Sequence, residues 1–232
     1  MSNCCIIVAG GTGLRMGATL PKQFLLLGGV PVLMQTIRKF HNFDSLLNIV
    51  LVLPKDELEC WYELCKFHNF EIPHKLIAGG STRFQSVKNG LSLAGGASLI
   101  AVHDGVRPLV SDETIYRCFN CATENGTAIP VLPVTESVRE GNFNESVPVD
   151  RSRYFLVQTP QVFHASIIQE AYRQNFLPDF TDDASVVEYS GINVNLVMGN
   201  RENIKITFPE DMHIAELFIN AELQKSHQFG TL

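Results

Sequence analysis

Short apolar runs that stop at glycine or proline recur along this chain, and most are followed by a stretch with helical spacing. Cys4 to Ala9 ends in Gly10-Gly11, and Asn48 to Leu53 (NIVLVL) is stopped by Pro54. Lys75 to Ala78 ends at Gly79-Gly80, and Leu99 to His103 ends in Asp104-Gly105; Thr127 to Val134 is a further run. Runs this short and this apolar suit strands covered on both faces. Helices are expected over 32–40, 56–67, 81–93 (begun by Ser81), and after an N-cap at Ser111 or Asp112. The β-then-α order predicts an α/β fold: a Rossmann-like, mostly parallel sheet with helices on both faces. Ligands bind such sheets beyond the carboxyl ends of the strands, where this chain places glycines, His103 and Asp104.

The alternation breaks from Val134 to Val157, where weak period-two patterning surrounds a Gly/Asn turn. Pattern alone leaves a projecting hairpin arm and an ordinary exposed loop about equally placed. Helices are expected again around 165–175, from Thr181 and from Pro209 to about Gln224, with a strand at Asn193 to Val197. No repeat or linker divides the 232 residues, so residues 1–232 are expected to form one domain with 134–157 projecting from it. That length supports a substantial core.

Acidic side chains outnumber basic ones by 24 to 18, for a formal charge of −6, which argues against a nucleic-acid surface spread over the fold. No apolar run approaches the length of a membrane span, and no signal peptide is apparent, so a cytoplasmic protein is expected. The six cysteines fall in three close pairs. Cys4 and Cys5, adjacent on one strand, point to opposite faces and cannot bridge in regular geometry. Cys118 and Cys121 form C-x-x-C, but no second Cys or His cluster completes a zinc site beside them. Free thiols packed as small apolar residues fit all six better.

The segment from Val8 to Gln23, V-A-G-G-T-G-L-R-M-G-A-T-L-P-K-Q, carries most of the chemistry. Gly10, Gly11 and Gly13 let the backbone approach a ligand and turn N–H groups toward it. The spacing fits neither G-x-x-x-x-G-K-[ST] nor G-x-G-x-x-G. Arg15 and Lys22 instead flank the turn, and two fixed cations beside a nest of N–H groups suit a triphosphate. The plain alternative, two solvated loop charges, is weakened by the proline that stiffens the approach to Lys22.

A-G-G-x-G-x-R-M followed by P-K-Q resembles the signature loop of nucleotidyltransferases that join a nucleoside triphosphate to a sugar phosphate. P-K-Q-F, V-H-D-G-V-R-P (102–108), Q-T-P-Q-V-F (158–163), T-D-D-A-S (181–185) and N-I-K-I-T-x-P-E-D (203–211) are similar to one branch. That branch is the 2-C-methyl-D-erythritol 4-phosphate cytidylyltransferase family of the non-mevalonate isoprenoid pathway. The resemblance implies the nucleotide-diphospho-sugar transferase type of the fold and the conversion of CTP and methylerythritol phosphate to 4-diphosphocytidyl-2-C-methyl-D-erythritol and pyrophosphate.

Residue by residue, the resemblance implies that Arg15 and Lys22 stabilise charge at the α-phosphate, with Gly10, Gly11, Thr12 and Gly13 holding the triphosphate. Gly80, Ser81 and Ser86 would line the nucleotide pocket, and Asp104 and Gly105 would sit beside ribose or phosphates. Arg107 would reach the sugar phosphate and Lys205, placed at a strand end, the attacking phosphate. The arm would interlock two subunits, so that Arg151 and Ser137 serve the partner's site in a homodimer. Mg²⁺ is the implied cofactor, held mainly by CTP phosphates, with no protein metal site. His103 is expected to be a packed residue and not a base, because a phosphate monoester is already ionised at neutral pH. Two other readings stand beside this one. The loop A-G-G-T-G is closer to ribitol-5-phosphate cytidylyltransferases, and a nucleotide-binding regulatory module without turnover is the alternative of another class. Separately, Asp104 as a turn acid, Lys205 as a surface lysine, and Arg151 with Arg153 as solubilising charges are each competitive explanations.

Overall fold

The computed structural model describes residues 2–10 and 20–229, with side-chain surroundings as far as residue 221. In chain order the elements are β1 (Ser2–Val8), β2 (Leu26–Leu27), β3 (Val30–Pro31), α1 (Val32–Phe43), β4 (Asn48–Leu53), α2 (Leu58–Phe67), β5 (Lys75–Ala78), α3 (Arg83–Leu91), β6 (Ala97–Asp104) and α4 (Asp112–Asn125). There follow β7 (Thr127–Pro133), β8 (Arg139–Gly141), β9 (Ser146–Pro148), β10 (Phe155–Val157), β11 (Gln161–His164), α5 (Ala165–Ala171), α6 (Asp183–Tyr189), β12 (Leu196–Met198) and α7 (Pro209–Phe229).

Among the described residues the main sheet has eight strands, in the order β10-β7-β11-β6-β1-β4-β5, with β12 also pairing with β7. β1, β4, β5 and β6 pair in parallel, as the sequence predicts. β11 is antiparallel to both its neighbours and lies between β6 and β7. The sequence reading treats Gln161-Val162-Phe163 as part of a motif and misses this strand, because four residues leading straight into α5 are too few to show a period.

Period-two alternation sorts the core into two layers. Cys5, Ile7, Ile49, Leu51, Leu53, Leu99 and Ala101 face one side, where α1, α2 and α4 contribute Leu33, Ile37, Phe40, Trp61, Ile115 and Phe119. Cys4, Ile6, Val8, Val50, Val52, Ile100 and Val102 face the other, against Phe84 and Val87 of α3, Ile168 of α5 and Val186 of α6. The adjacent cysteines thus sit in opposite layers. All six thiols are unpaired with one another. Burial pushes the Cys4 thiol up to about 12 and that of Cys65 to about 11, so both behave as apolar filler.

Local chemistry sets the helix ends. Ser111 caps α4 by accepting from the Thr114 N–H at 3.1 Å, and Gly126 closes it in the left-handed conformation at φ 84°. α3 starts later than expected: Ser81 lies outside it, and Thr82 is the cap, accepting from the Gln85 N–H. Asp182 caps α6 in a reciprocal box with Ser185.

The segment 134–157 contains an antiparallel hairpin, β8 with β9, whose side chains are almost all exposed. Its last three residues do not belong to the arm. Phe155 to Val157 return to the main sheet and pair with Val131 to Pro133 of β7. Residues 203–207, expected to end in a strand, form extended chain outside any ladder, tied in by the Ile206 N–H to the Val106 carbonyl at 3.0 Å. A third apolar cluster of Leu27, Val32, Val106, Leu109, Ile206 and Ala215 packs this segment and α7 against the loop after β6. Among the described residues no helix is long and apolar enough to cross a membrane.

α3 lies close on the sheet because Gly90 has no side chain. A Cβ there would stand 2.6 Å from Cγ2 of Ile6 and 3.0 Å from Cγ2 of Val52. Gly90→Ala gains about 1 kcal/mol of helix propensity but overpacks two buried branched residues at a cost of about 1–3 kcal/mol. The expected net result is a loss of up to about 2 kcal/mol, read as a lowered denaturation midpoint. A variant as stable as the wild type would show that this contact is looser than described.

Candidate active site

Asp104 is the last residue of β6, at the carboxyl end of the parallel sheet, and it is buried. Three cations converge on it. Lys205 Nζ lies 3.1 Å from Oδ2, Arg107 Nε 3.2 Å from the same oxygen, and Arg83 Nε 3.8 Å from Oδ1. Burial pushes the carboxyl up, but Arg83, Lys205 and Arg107 outweigh it and hold it well below the usual carboxylate range. Arg107 is fixed at its far end by donating to the Asn203 carbonyl at 2.7 Å. Lys22, in the short 3₁₀ turn Lys22–Phe24, donates to the Ile206 carbonyl at 3.0 Å, one residue from Lys205. Lys22, Lys205, Arg107 and Asp104, distant in sequence, are therefore brought together.

The backbone behind Asp104 is held by a chain of hydrogen bonds. Its N–H donates to Thr159 Oγ1 at 3.1 Å, and Thr159 Oγ1 lies 3.0 Å from Nδ1 of His103. His103 Nε2 lies 3.0 Å from the Arg107 carbonyl, which can only accept. The proton is therefore on Nε2, and the Thr159 hydroxyl donates to Nδ1. Burial lowers His103 to about 4 and keeps it neutral. It is the packed strand-end residue expected from the sequence.

Gly10, the last described residue before the first loop, lies beside Ser86, whose Oγ would be 3.8 Å from a Cβ on Gly10. The Ser86 hydroxyl accepts from the Gly80 N–H at 3.1 Å and donates to the Thr82 carbonyl at 2.9 Å. Ser86 thus shapes the Gly79-Gly80-Ser81 turn, leaving Gly80 and Ser81 exposed at its rim. Gly105 is accounted for by packing. Its N–H donates to the Val8 carbonyl at 2.8 Å, and a Cβ would come within 2.7 Å of that of Ala9. Gln23, beside Lys22, donates from its buried amide to the Ala9 carbonyl and to Glu57, anchoring the residue before Gly10. Arg151 lies in the turn Arg151–Arg153 capped by Asp150, its guanidinium on the Thr135 carbonyl at the base of the arm. Ser137 is exposed on the arm. Gly11, Thr12, Gly13 and Arg15 lie outside the described residues.

Sequence reasoning missed Gln158, Thr159, Asp183 and Asn203, although the motifs that signalled the site contain them, and it missed Arg83, which lies between Ser81 and Ser86. Gln158 Nε2 donates to the Asn200 carbonyl at 2.9 Å, and Asn203 Nδ2 to the Thr159 carbonyl at 2.8 Å, locking the 203–207 segment to the residues before β11.

The donor set bears on the metal. Among the described residues no group of three or more His, Cys, Asp or Glu side chains could hold an ion. Asp104 is a single carboxylate already shared among cations. It is the carboxylate that this cluster would offer to an ion such as Mg²⁺, which keeps few protein ligands and travels with substrate phosphates.

A sequence model of the 2-C-methyl-D-erythritol 4-phosphate cytidylyltransferase family matches residues 3–221. A protein of that name from Bacteroides fragilis is 54% identical over 94% of this chain and 100% of its own length. One from Porphyromonas gingivalis is 52% identical over 93% of this chain and 97% of its own. Among solved structures, 4-diphosphocytidyl-2C-methyl-D-erythritol synthase from Anaerococcus prevotii superposes with a TM-score of 0.80 at 27% identity, covering 94% of this chain and 96% of that one. The 2-C-methyl-D-erythritol 4-phosphate cytidylyltransferase of Thermus thermophilus gives 0.75 at 31% identity, over 95% and 100%. The chain belongs to this family.

His103 makes the site's supporting network sensitive to acid. An unfolded histidine protonates below about pH 6.5, whereas folded His103 protonates only near 4. Between those values the unfolded state binds more protons, so stability falls as pH falls. The expected loss from this group is about 2 kcal/mol between pH 8 and pH 5. Denaturation at both pH values should show a shallower dependence in His103→Gln. An unchanged slope would mean that His103 titrates normally in the folded chain.

Proposed function

We propose that this chain, as a member of that family, transfers the cytidylyl group of CTP to 2-C-methyl-D-erythritol 4-phosphate and releases pyrophosphate. The observation that carries this reading is the gathering of Arg107 and Lys205 on Asp104 at the carboxyl end of β6, with Lys22 held on the Ile206 carbonyl next to Lys205. Two polyanions must meet for the reaction to occur, so the protein's task is positioning and charge neutralisation.

In the mechanism, a phosphate oxygen of the methylerythritol phosphate attacks the α-phosphorus of CTP in line, and the bond to the β-phosphate oxygen breaks. No residue need take a proton from the nucleophile. Gly10 to Gly13 receive the triphosphate with backbone N–H groups, and Arg15 and Lys22 carry the charge that grows at the α-phosphate. Arg107 and Lys205 hold the incoming phosphate, with Asp104 keeping these two cations from repelling one another. Gly80, Ser81 and Ser86 form the wall against the base, and Gly105 keeps the strand end narrow. Asp104 would be the carboxylate nearest to a Mg²⁺ ion carried in with the triphosphate, and such an ion would supply further charge neutralisation at the phosphates.

The arm makes a homodimer the favoured state. Phe143, Val147, Tyr154, Phe155, Leu156 and Val157 are all exposed along the arm and the edge strand that follows it. Exposed apolar groups recurring along the arm and on the edge strand β10 suit burial against a second copy. Arg151 and Ser137 then act in the partner's site. Six unpaired thiols fit a reducing compartment, consistent with a cytoplasmic enzyme.

Pyrophosphate release from CTP tests the reading, with methylerythritol phosphate and ribitol 5-phosphate offered in turn. Release with the first substrate is expected, and its abolition by EDTA. Release with ribitol 5-phosphate alone would overturn the substrate assignment, and no release with either would favour a binding module. Lys22→Ala should fold and lose on the order of 10²–10³ in kcat. Light scattering should give the mass of two chains, and a monomer at micromolar concentration would remove the dimeric reading.

A further inference from the structure

Asp182 and Asp183 stand together at the start of α6, and only the first has a capping role. Asp183 is fully buried. Its carboxylate accepts from the Tyr172 hydroxyl at 2.6 Å and from the Arg83 guanidinium at 2.6 Å. Tyr172 is fixed in turn by stacking on Phe84, with ring centroids 4.7 Å apart and planes at 18°. Burial and the carboxylate beside it push the Tyr172 phenol well above its ordinary range, so it stays protonated and donates. The start of α6 is pinned to the sheet as well. Gln161 of β11 donates to Asp182 at 2.7 Å and accepts from the Ala184 N–H at 2.8 Å.

Arg83 therefore stands between two carboxylates. Burial opposes its charge, but Asp183 and Asp104 more than restore it. The division between them is unequal: 2.6 Å to Asp183 against 3.8 Å to Asp104. Arg83 reaches only Oδ1 of Asp104, and at the longer distance. Oδ2 is left to Arg107 at 3.2 Å and Lys205 at 3.1 Å. Were Asp183 neutral, the Arg83 charge would lose its nearer counter-ion and be drawn fully onto Asp104. Lys205, which is about half exposed, would then lose much of its hold on that carboxylate.

We propose that Asp183 is a positioning residue for the transfer reaction: by occupying Arg83 it reserves Asp104 for Lys205 and Arg107, and so fixes the two cations that receive the incoming phosphate. This rests on the reading of Lys205 and Arg107 as phosphate-binding groups. Asp183 itself touches no substrate. Its effect passes through Arg83 and Asp104.

The test is Asp183→Asn, which keeps shape and removes charge, with Tyr172→Phe as a milder variant that keeps the stacked ring. In Asp183→Asn, kcat/KM for methylerythritol phosphate should fall about tenfold while KM for CTP moves less than twofold. Tyr172→Phe should shift the same ratio about threefold in the same direction, and it serves if Asp183→Asn does not fold. Combining Asp183→Asn with Lys205→Met should cost clearly less than the product of the two single losses, because Lys205 is one of the two cations through which Asp183 acts. Multiplicative losses, or equal losses for both substrates, would assign Asp183 a purely structural role and overturn the proposal. A second readout is independent of turnover. The side-chain NMR signal of Lys205 in ¹³C-lysine protein, assigned by its loss in Lys205→Met, should shift in Asp183→Asn. An unmoved signal refutes the relay. A wild-type chain that fails to turn over CTP would instead remove the functional reading while the Lys205 signal still decides the relay.

Discussion

One carboxylate, Asp104, lets several positive charges share a small volume at the end of β6. Lysine and arginine side chains brought together without it would repel each other and swing into solvent. With it, Arg83, Arg107 and Lys205 each have a fixed direction before any ligand arrives. The surrounding architecture serves that placement. The parallel strands bring Asp104 to the carboxyl end of the sheet, Thr159 and His103 hold its backbone, and Asn203 holds the far end of Arg107. Preorganisation of this kind costs folding stability and returns it as charge stabilisation when phosphates bind.

The acidic balance of the chain is consistent with its polyanionic ligands. A net charge of −6 describes the sum, whereas the site is governed by where the cations sit. Lys22 and Lys205 come from opposite ends of the chain and meet through the Ile206 carbonyl. Gathering cations at one end of the sheet gives a local attractive field within an otherwise acidic molecule, which favours small anions over a long nucleic-acid backbone.

The parallel strands were legible because NIVLVL and its counterparts are apolar on both faces and end at glycine or proline. β4 and β5 fall on their expected residues. β11 was not legible: its four residues run directly into α5, and its antiparallel direction depends on partners far away in sequence. Phe155 to Val157 read as part of the arm for the same reason, since an edge strand and a hairpin share one pattern. In the site, two of the cations named from motifs, Arg107 and Lys205, lie on Asp104, and Lys22 lies on the Ile206 carbonyl beside Lys205. Arg83 and Asp183 were passed over, although Asp183 stands in T-D-D-A-S and Arg83 lies between Ser81 and Ser86. Their importance lies in a contact across 100 positions, which no local spacing encodes.

The antiparallel β11 also has a consequence for how the protein is made. The two strands it joins, β6 and β7, are both complete by residue 133, yet neither can pair with the other across the gap. On a ribosome adding roughly 5–20 residues per second, β6 waits about 3–12 s for the strand that covers it. In that interval the nascent sheet has an open, apolar edge, the feature that invites pairing with other chains. The arm is synthesised within this window. The exposed hairpin of β8 and β9 therefore emerges before the sheet can close, while the strand that joins β6 to β7 is still being made.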